Sequence, residues 1–140
     1  MSTDGLSATD EWLRWKRANE VVRLAVVGDV SVAAGVSEPE LTVLVQLNDA
    51  GGTLRQNAIV ASTGWDRTRL SHLLTRMEAR GYLGRERIRN GVEVTLQPAG
   101  RALIDAAQPR LEAAVRRHLL DRLTDEDRRA LHQIIDRLLA

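Results

Sequence analysis

The chain has 140 residues, of which 44% are hydrophobic and 28% are charged. This composition is typical of a folded globular protein and too apolar for a disordered one, and the length suits a single domain. The sequence contains no cysteine, so disulfides, thiolate metal sites and thiol-based redox sensing are excluded.

The first fifteen residues lack the basic segment and following apolar run of an export signal. The unbroken apolar stretches, such as residues 24–27, fall far short of the roughly 20 residues that span a bilayer. We therefore expect a cytoplasmic protein without a membrane partner.

Charge is distributed unevenly along the chain. Residues 66–89 contain seven arginines and three acidic residues, a net charge of +4, which leaves −3 for the remainder of a chain whose net charge is +1. A basic block on an otherwise acidic chain is expected of a surface that contacts nucleic acid. A solvated charged face is the alternative interpretation of the same block.

Five residues near the start recur at alternating spacings of three and four, as in the seam of a helix packed along another helix: Trp12, Trp15, Asn19, Val22 and Val26. They predict a first helix over about residues 9–33. Ser37 and Glu40 then form a capping-box pattern that predicts the start of a second helix. This helix is expected to end at residues 50–52, where two glycines permit a left-handed turn.

A helix-turn-helix pattern follows. A short third helix is predicted over about residues 55–62, Gly64 ends it, and Asp66 can cap a fourth helix that ends at Arg80-Gly81. The polar side of that fourth helix carries cations and hydrogen-bonding groups suited to the major groove of DNA. The candidate DNA-binding residues on it are Arg67, Thr68, Arg69, Ser71, His72 and Arg76.

Beyond Gly81 the apolar period changes from helical to alternating. Residues 82–87 and 92–96 predict two strands, and Asn90-Gly91 between them predicts a hairpin with a type I′ turn. This hairpin adds the cations of Arg85, Arg87 and Arg89, and Arg87 and Arg89 are its candidate DNA-binding residues. Arg80 could hold a phosphate, or it could pair with Glu78 or Asp105 and brace the hairpin.

Two helices complete the pattern. Pro98 suits the first turn of a long helix that Pro109 is expected to bend near Ala106 or to break. Thr124 is expected to cap a last helix with one apolar face. That face carries Leu131, Ile134, Ile135, Leu138 and Leu139. The predicted fold is mainly α with a small β-hairpin wing, a winged helix-turn-helix flanked by N- and C-terminal helices.

From about residue 37 to residue 104 the sequence resembles the MarR family of bacterial transcription regulators. Residues 70–83, LSHLLTRMEARGYL, look like the recognition helix of the family running into its wing. Residues 94–101, VTLQPAGR, look like the second wing strand followed by the Leu-Thr-Pro-x-Gly helix start of the family. Two features depart from the pattern: Ile88 and Asn90 occupy the positions of the wing's Asp-x-Arg pair, and Gln97 stands where threonine is usual.

The resemblance implies one MarR-type domain over residues 1–140. Its winged helix-turn-helix lobe would comprise about residues 37–97, and about residues 9–33 and 98–140 would form the dimerisation helices. It further implies a ligand-responsive repressor that binds a near-palindromic site on double-stranded DNA as a homodimer. A small aromatic or anionic effector would bind near Trp12, Trp15 and Arg23.

Other functions are less well supported by the sequence. A winged-helix dimerisation module that contacts proteins is the main alternative, since the flanks are acidic and the wing pair is missing. We expect no metal site or cofactor, because the three histidines lie far apart and match no ligand spacing. We expect no enzyme activity, because no nucleophile, glycine-rich phosphate loop or HExxH motif is visible.

Overall fold

A computed structural model describes residues 5–140, which form six α-helices and one three-stranded antiparallel sheet. In chain order the elements are α1 (Ala8–Ala34), α2 (Glu38–Asp49), β1 (Thr53–Arg55), α3 (Gln56–Thr63), α4 (Arg67–Ala79), β2 (Leu83–Ile88), β3 (Gly91–Leu96), α5 (Pro98–His118), a short 3-10 helix (Leu120–Arg122) and α6 (Asp125–Leu139). The predicted fold class, mainly α with a small hairpin wing, is confirmed.

The described residues form two compact units. The helical unit contains residues 5–30 and 111–140, and the winged unit contains Ser31–Arg110. Both α1 and α5 continue from one unit into the other.

The winged unit has a well-developed apolar core. Its fully buried large side chains come from every kind of element in the unit: Val43, Leu44, Leu47, Ile59, Leu70, Leu74, Met77, Leu83, Val94 and Ile104. Burial of this kind supplies roughly 1.5–3 kcal/mol for each large aliphatic side chain. The core therefore fixes α4 and the hairpin on one scaffold.

The sheet has the strand order β1-β3-β2. Strand β1 was not predicted from the sequence: its three residues pair with β3, with Thr53 opposite Thr95 and Arg55 opposite Glu93. Strands β2 and β3 form the expected hairpin, in register from Leu83 opposite Leu96 to Ile88 opposite Gly91. The wing is thus anchored at its base by a third strand.

The hairpin turn differs from the predicted one. Arg89 and Asn90 are its two central residues, since Ile88 pairs with Gly91. Among the described residues only glycines have a positive φ, and Gly91 has a φ of 137°. The predicted type I′ turn is therefore wrong, because it requires positive φ at both central residues. Gly91 alone takes the backbone conformation that a side chain would disfavour.

The predicted helix caps are confirmed. The Ser37 hydroxyl accepts from the Glu40 N–H at 3.3 Å, and the Glu40 carboxylate accepts from the Ser37 N–H at 3.1 Å. Thr124 and Asp127 form the same reciprocal pair at the start of α6. Pro109 lies inside α5, which is one helix from Pro98 to His118, so of the two predicted alternatives the break does not occur and the bend stays a prediction.

The helical unit buries little of its apolar surface. Its buried hydrophobic residues are Val30 and Ala114. Its exposed large hydrophobic residues are Trp12, Leu13, Trp15, Val21, Leu24, Ile134, Ile135, Leu138 and Leu139. Within the described part of the chain, no helix combines the length and apolar character needed to cross a membrane.

Candidate nucleic-acid interface

Gly64 and Asp66 determine the turn between α3 and α4. Gly64 ends α3 in the left-handed conformation, with φ 71°, and its N–H donates to the Val60 carbonyl at 2.8 Å. Asp66 begins α4, where its carboxylate accepts from the Arg69 N–H at 3.0 Å. A left-handed residue followed two positions later by a helix cap gives the short connection of a helix-turn-helix.

Helix α4 has an apolar and a polar side. Leu70, Leu73, Leu74 and Met77 are buried. The candidate DNA-binding residues Arg67, Thr68, Arg69, His72 and Arg76 are exposed, and Ser71 is half-buried. The helix therefore holds its donors on the solvent side of a fixed scaffold, as the sequence predicted.

Asn57 was missed by the sequence analysis. Its side-chain oxygen, on the first turn of α3, accepts from the Arg67 Nη1 group at 2.7 Å. Both side chains are exposed. The two helices of the helix-turn-helix are thus joined at their outer surface, and the Arg67 guanidinium is oriented by an amide.

Arg80 has a structural role, but its predicted partners were wrong. Its guanidinium donates to the Glu40 carboxylate at 3.2 Å and to the Gly35 carbonyl at 3.3 Å. It also lies over the Tyr82 ring, 4.7 Å from the centroid. Neither Glu78 nor Asp105 is its partner in these contacts. Arg80 therefore ties the end of α4 to the start of α2.

The wing presents two exposed cations, Arg87 on β2 and Arg89 in the turn. Ile88 is half-buried between them, and Asn90 is exposed. Arg85, further toward the base of β2, is different: its side chain is 19% exposed and contacts α4. The wing therefore carries its accessible positive charge near the tip.

A pocket of about 420 Å³ opens beside α4 in the winged unit. Pro39, Trp65, Leu70 and Leu73 form its apolar lining, Arg69 and Arg76 add two cations, and Ser37 and Asp66 complete the lining with a hydroxyl and a carboxylate. Trp65 is half-buried there. The combination of an apolar lining and a few charged groups is that of a small-molecule site.

The three residues proposed from the sequence for an effector lie on α1. Trp12 and Trp15 are 58% and 48% exposed, and Lys16 Nζ lies 5.8 Å from the Trp12 ring centroid. Arg23 forms an ion pair with Glu20 at 2.6 Å. The hydrogen bond from Arg23 lowers the pKa of the Glu20 carboxyl below its usual value. The positive charge of Arg23 is therefore partly neutralised by its own helix.

Among residues 5–140, no three His, Asp or Glu side chains cluster in a way that could hold a metal ion. The His118 ring nitrogen Nε2 lies 2.7 Å from the Asp29 carboxylate, within the helical unit. His72 is exposed on α4.

The turn, the recognition-type helix α4 and the three-stranded sheet together define a winged helix-turn-helix protein. The chain resembles AbsC, a MarR family transcriptional regulator from Streptomyces coelicolor, with 26% identity, a TM-score of 0.87 and coverage of 98% of this chain and 96% of that one. It also resembles Sco3205, a MarR family regulator from the same organism solved in complex with DNA, with 25% identity, a TM-score of 0.86 and coverage of 96% and 91%.

A mutant of MarR from E. coli, solved with operator DNA, shares the fold at 18% identity, with a TM-score of 0.80 and coverage of 96% and 100%. Residues 36–96 match a family described as "Domain of unknown function (DUF7343)". No curated protein matches the sequence. The chain has the winged-helix fold of the MarR family, as the sequence resemblance predicted.

Proposed function

We propose that this protein is a sequence-specific regulator of transcription that binds double-stranded DNA. The observation that carries the proposal is the exposed cationic side of α4, held by a buried apolar stripe on a winged-helix scaffold. Sco3205, which has the same fold, was solved in complex with DNA. The site of action would be the cytoplasm, where chromosomal DNA lies.

In this proposal α4 enters the major groove. Arg67 and Arg69, on its first turn, would contact base edges, because a guanidinium can donate two hydrogen bonds to guanine. Thr68, Ser71 and His72 would add shorter-range contacts. Arg76, two turns further on, would contact the phosphate backbone, which fixes the position of the helix without reading sequence.

The wing would act differently from the helix. Arg87 and Arg89 lie on or near the hairpin tip, away from the buried core of the unit. Arginines at such a tip suit a narrow minor groove or flanking phosphates, whose negative potential attracts them. Their contribution would depend on salt more than on base sequence.

We also propose a homodimer. The helical unit leaves nine large hydrophobic side chains exposed, including Leu138 and Leu139 at 69% and 81%. Exposed apolar surface of this extent marks an interaction site, and a second copy of the chain would cover it on both subunits at once. The dimerisation helices would be α1, α5 and α6, and the two recognition helices would meet a near-palindromic site.

For an effector, the pocket beside α4 is the better candidate site. Its volume of about 420 Å³ lies within the usual range for ligand pockets, and Arg69 and Arg76 could pair with an anionic group on an aromatic molecule. The same two arginines are candidate DNA contacts, so ligand and DNA would compete for them. Trp12, Trp15 and Arg23 on α1 remain the alternative site.

Tryptophan fluorescence distinguishes the two effector sites, because Trp12, Trp15 and Trp65 are the three tryptophans of the chain. Small aromatic carboxylates such as benzoate would be titrated into the wild type and into Trp→Phe variants at each position. A response lost only in Trp65→Phe supports the pocket beside α4. A response lost only in Trp12→Phe or Trp15→Phe assigns the effector to α1.

The DNA-binding proposal is tested by selecting bound sequences from a random duplex library and measuring the affinity of the winner against a scrambled duplex. We expect the selected duplex to bind 10³-fold or more tighter than the scrambled one, the lower end of the usual range for specific binding. If no duplex binds at low salt, the protein-contact module becomes the better hypothesis.

A further inference from the structure

Arg85 makes the most extensive contacts of the wing arginines with α4. Its Nη2 group donates to the Thr75 hydroxyl at 2.7 Å and to the Glu78 carboxylate at 3.3 Å. Its Nη1 group donates to the Ser71 carbonyl at 3.4 Å. The other oxygen of Glu78 accepts from the Arg85 backbone N–H at 3.1 Å. One residue of β2 is therefore held by three residues of the recognition helix.

The three acceptors form one row along α4. Ser71, Thr75 and Glu78 follow at spacings of four and three, so they lie on the same helix face. Thr75 is itself fixed, since its hydroxyl donates to the Ser71 carbonyl at 2.9 Å. The row is thus a preformed acceptor surface for one guanidinium.

Arg85 and Arg87 lie on the same face of the sheet, because side chains alternate along a strand. Arg87 is exposed, whereas the Arg85 guanidinium is directed onto α4 and its side chain is 19% exposed. Arg89 lies four residues beyond Arg85, about 13 Å further along an extended chain. A change in the angle between β2 and α4 at Arg85 therefore displaces the wing tip at Arg89 further than it displaces Arg85 itself.

We propose that Arg85, Thr75 and Glu78 form a latch that sets the angle of the wing to the recognition helix. Arg85 is then a positioning residue that acts through Arg89 and does not itself contact DNA. This inference rests on the proposed DNA-binding function. Simultaneous contact of α4 with one groove and of the wing tip with the next requires a fixed geometry between them, and the latch supplies it before DNA binds.

The stability contribution of the latch is expected to be small. Glu78 is 41% exposed in its pair with Arg85, and partly exposed ion pairs contribute modestly to folding. The latch should therefore be separable from folding. Its loss should be measurable in DNA binding while the melting temperature changes little.

Glu78→Gln is the first test, with Glu86→Gln as its matched control. Both variants remove one negative charge from the same lobe, but Glu86 is an exposed residue of β2 opposite Glu93 and is not part of the latch. General electrostatics predicts tighter DNA binding for both. The latch predicts that Glu78→Gln weakens operator binding by about threefold to tenfold while Glu86→Gln does not. Equal behaviour of the two variants would overturn the proposal.

A double-mutant cycle of Thr75→Val with Arg89→Ala is the second test. Thr75→Val removes the hydroxyl while keeping the charge and a β-branched shape. If the latch positions Arg89, then Arg89→Ala costs affinity in the wild type and little in the Thr75→Val background, and Thr75→Val alone flattens the salt dependence. Additive losses would mean that Thr75 acts independently of the wing tip.

Amide hydrogen exchange of residues 85–92 without DNA separates this proposal from the proposed function. Faster exchange in Thr75→Val, with the exchange of Leu44 and Leu74 unchanged, supports the latch even for a chain that binds no duplex. Unchanged wing exchange in both Thr75→Val and Glu78→Gln contradicts it. A wild type that binds no duplex contradicts the DNA-binding function alone.

Discussion

The Asn57 side chain and the Arg67 guanidinium are joined by a 2.7 Å hydrogen bond between α3 and α4. The bond occupies one of the five N–H donors of the guanidinium and leaves the remainder for other partners. It also restricts a long side chain that would otherwise lose rotamer freedom on binding. Arg67 is therefore oriented at the outer surface of the helix-turn-helix before DNA arrives.

We expect Arg67→Ala to narrow the difference in affinity between the selected operator and a scrambled duplex. A bidentate contact to a base is worth about 1–3 kcal/mol of discrimination, so the specific complex should weaken by about that amount. Arg69→Ala is expected to act in the same direction. Affinities on both duplexes, with the melting temperature nearly unchanged, check the prediction.

The control is Arg116→Ala, which removes the same charge from α5, where Arg116 pairs with Glu112 at 3.0 Å. It should leave the ratio of the two affinities unchanged. An unaltered ratio in Arg67→Ala would remove that residue from base readout. Asn57→Ala should give a smaller loss than Arg67→Ala, and no further loss when Arg67 is already alanine.

Arg89→Ala is expected to change the salt dependence of binding and not its sequence dependence. When one phosphate contact is lost, DNA binding releases roughly one counterion fewer. The slope of log affinity against log salt should therefore flatten by about 1 per protomer. Affinity should fall alike on operator and scrambled duplexes, as measured by salt titration. A slope equal to that of the wild type would mean that the wing tip does not touch DNA.

Features encoded in a few neighbouring residues could be predicted from the sequence. The Ser37–Glu40 and Thr124–Asp127 caps and the Asp66 cap depend on side chains that bond amides three residues away. Such signals need no knowledge of the tertiary structure. The Asp66 cap located the start of α4, and the helical spacing of its apolar residues placed Arg67, Arg69 and Arg76 correctly on the exposed side.

Features that join distant segments were missed or assigned wrongly. Strand β1 has three residues and forms only because β3, 42 residues later at Thr53 and Thr95, pairs with it. Arg80 was predicted to pair with Glu78 or Asp105, which follow or adjoin the hairpin in sequence, but its partner Glu40 lies 40 positions before it on α2. The Asn57–Arg67 bond depends on the angle between two helices. Local periodicity carries no information on any of these distances.

Ile134→Glu is expected to dissociate the proposed dimer. Ile134 lies on α6 and is 47% exposed in the single chain. A symmetric interface would bury it twice, so the variant places two carboxylates in an apolar contact, each costing several kcal/mol. Sedimentation or light scattering at micromolar concentration measures the change.

Gln133→Glu is the matched control for that experiment. It adds the same charge one position earlier on α6, at an exposed polar residue. The control should remain dimeric and bind operator normally. A wild type that is monomeric at micromolar concentration would contradict the dimer itself.

Gly100 tests the packing of the wing against α5. A Cβ atom at Gly100 would lie 2.1 Å from the Tyr82 carbonyl oxygen and 2.9 Å from Leu96 Cδ1. The Tyr82 oxygen is backbone and accepts from the Gln97 N–H at 3.0 Å, so it cannot move without shifting the base of the wing. This close approach gives a physical reason for glycine at the third position of α5.

We therefore expect Gly100→Ala to destabilise the protein by at least about 1–3 kcal/mol, the usual range for overpacking, and to weaken operator binding through the displaced wing. Gly28→Ala is the control, because Gly28 lies inside α1 and its added Cβ meets nothing within 4 Å. That substitution should stabilise by about 0.5–1 kcal/mol, since alanine loses less backbone entropy in a helix. Denaturant titrations of both variants measure the two free energies of unfolding. A Gly100→Ala protein as stable as the wild type would show that α5 can move away from the wing without cost.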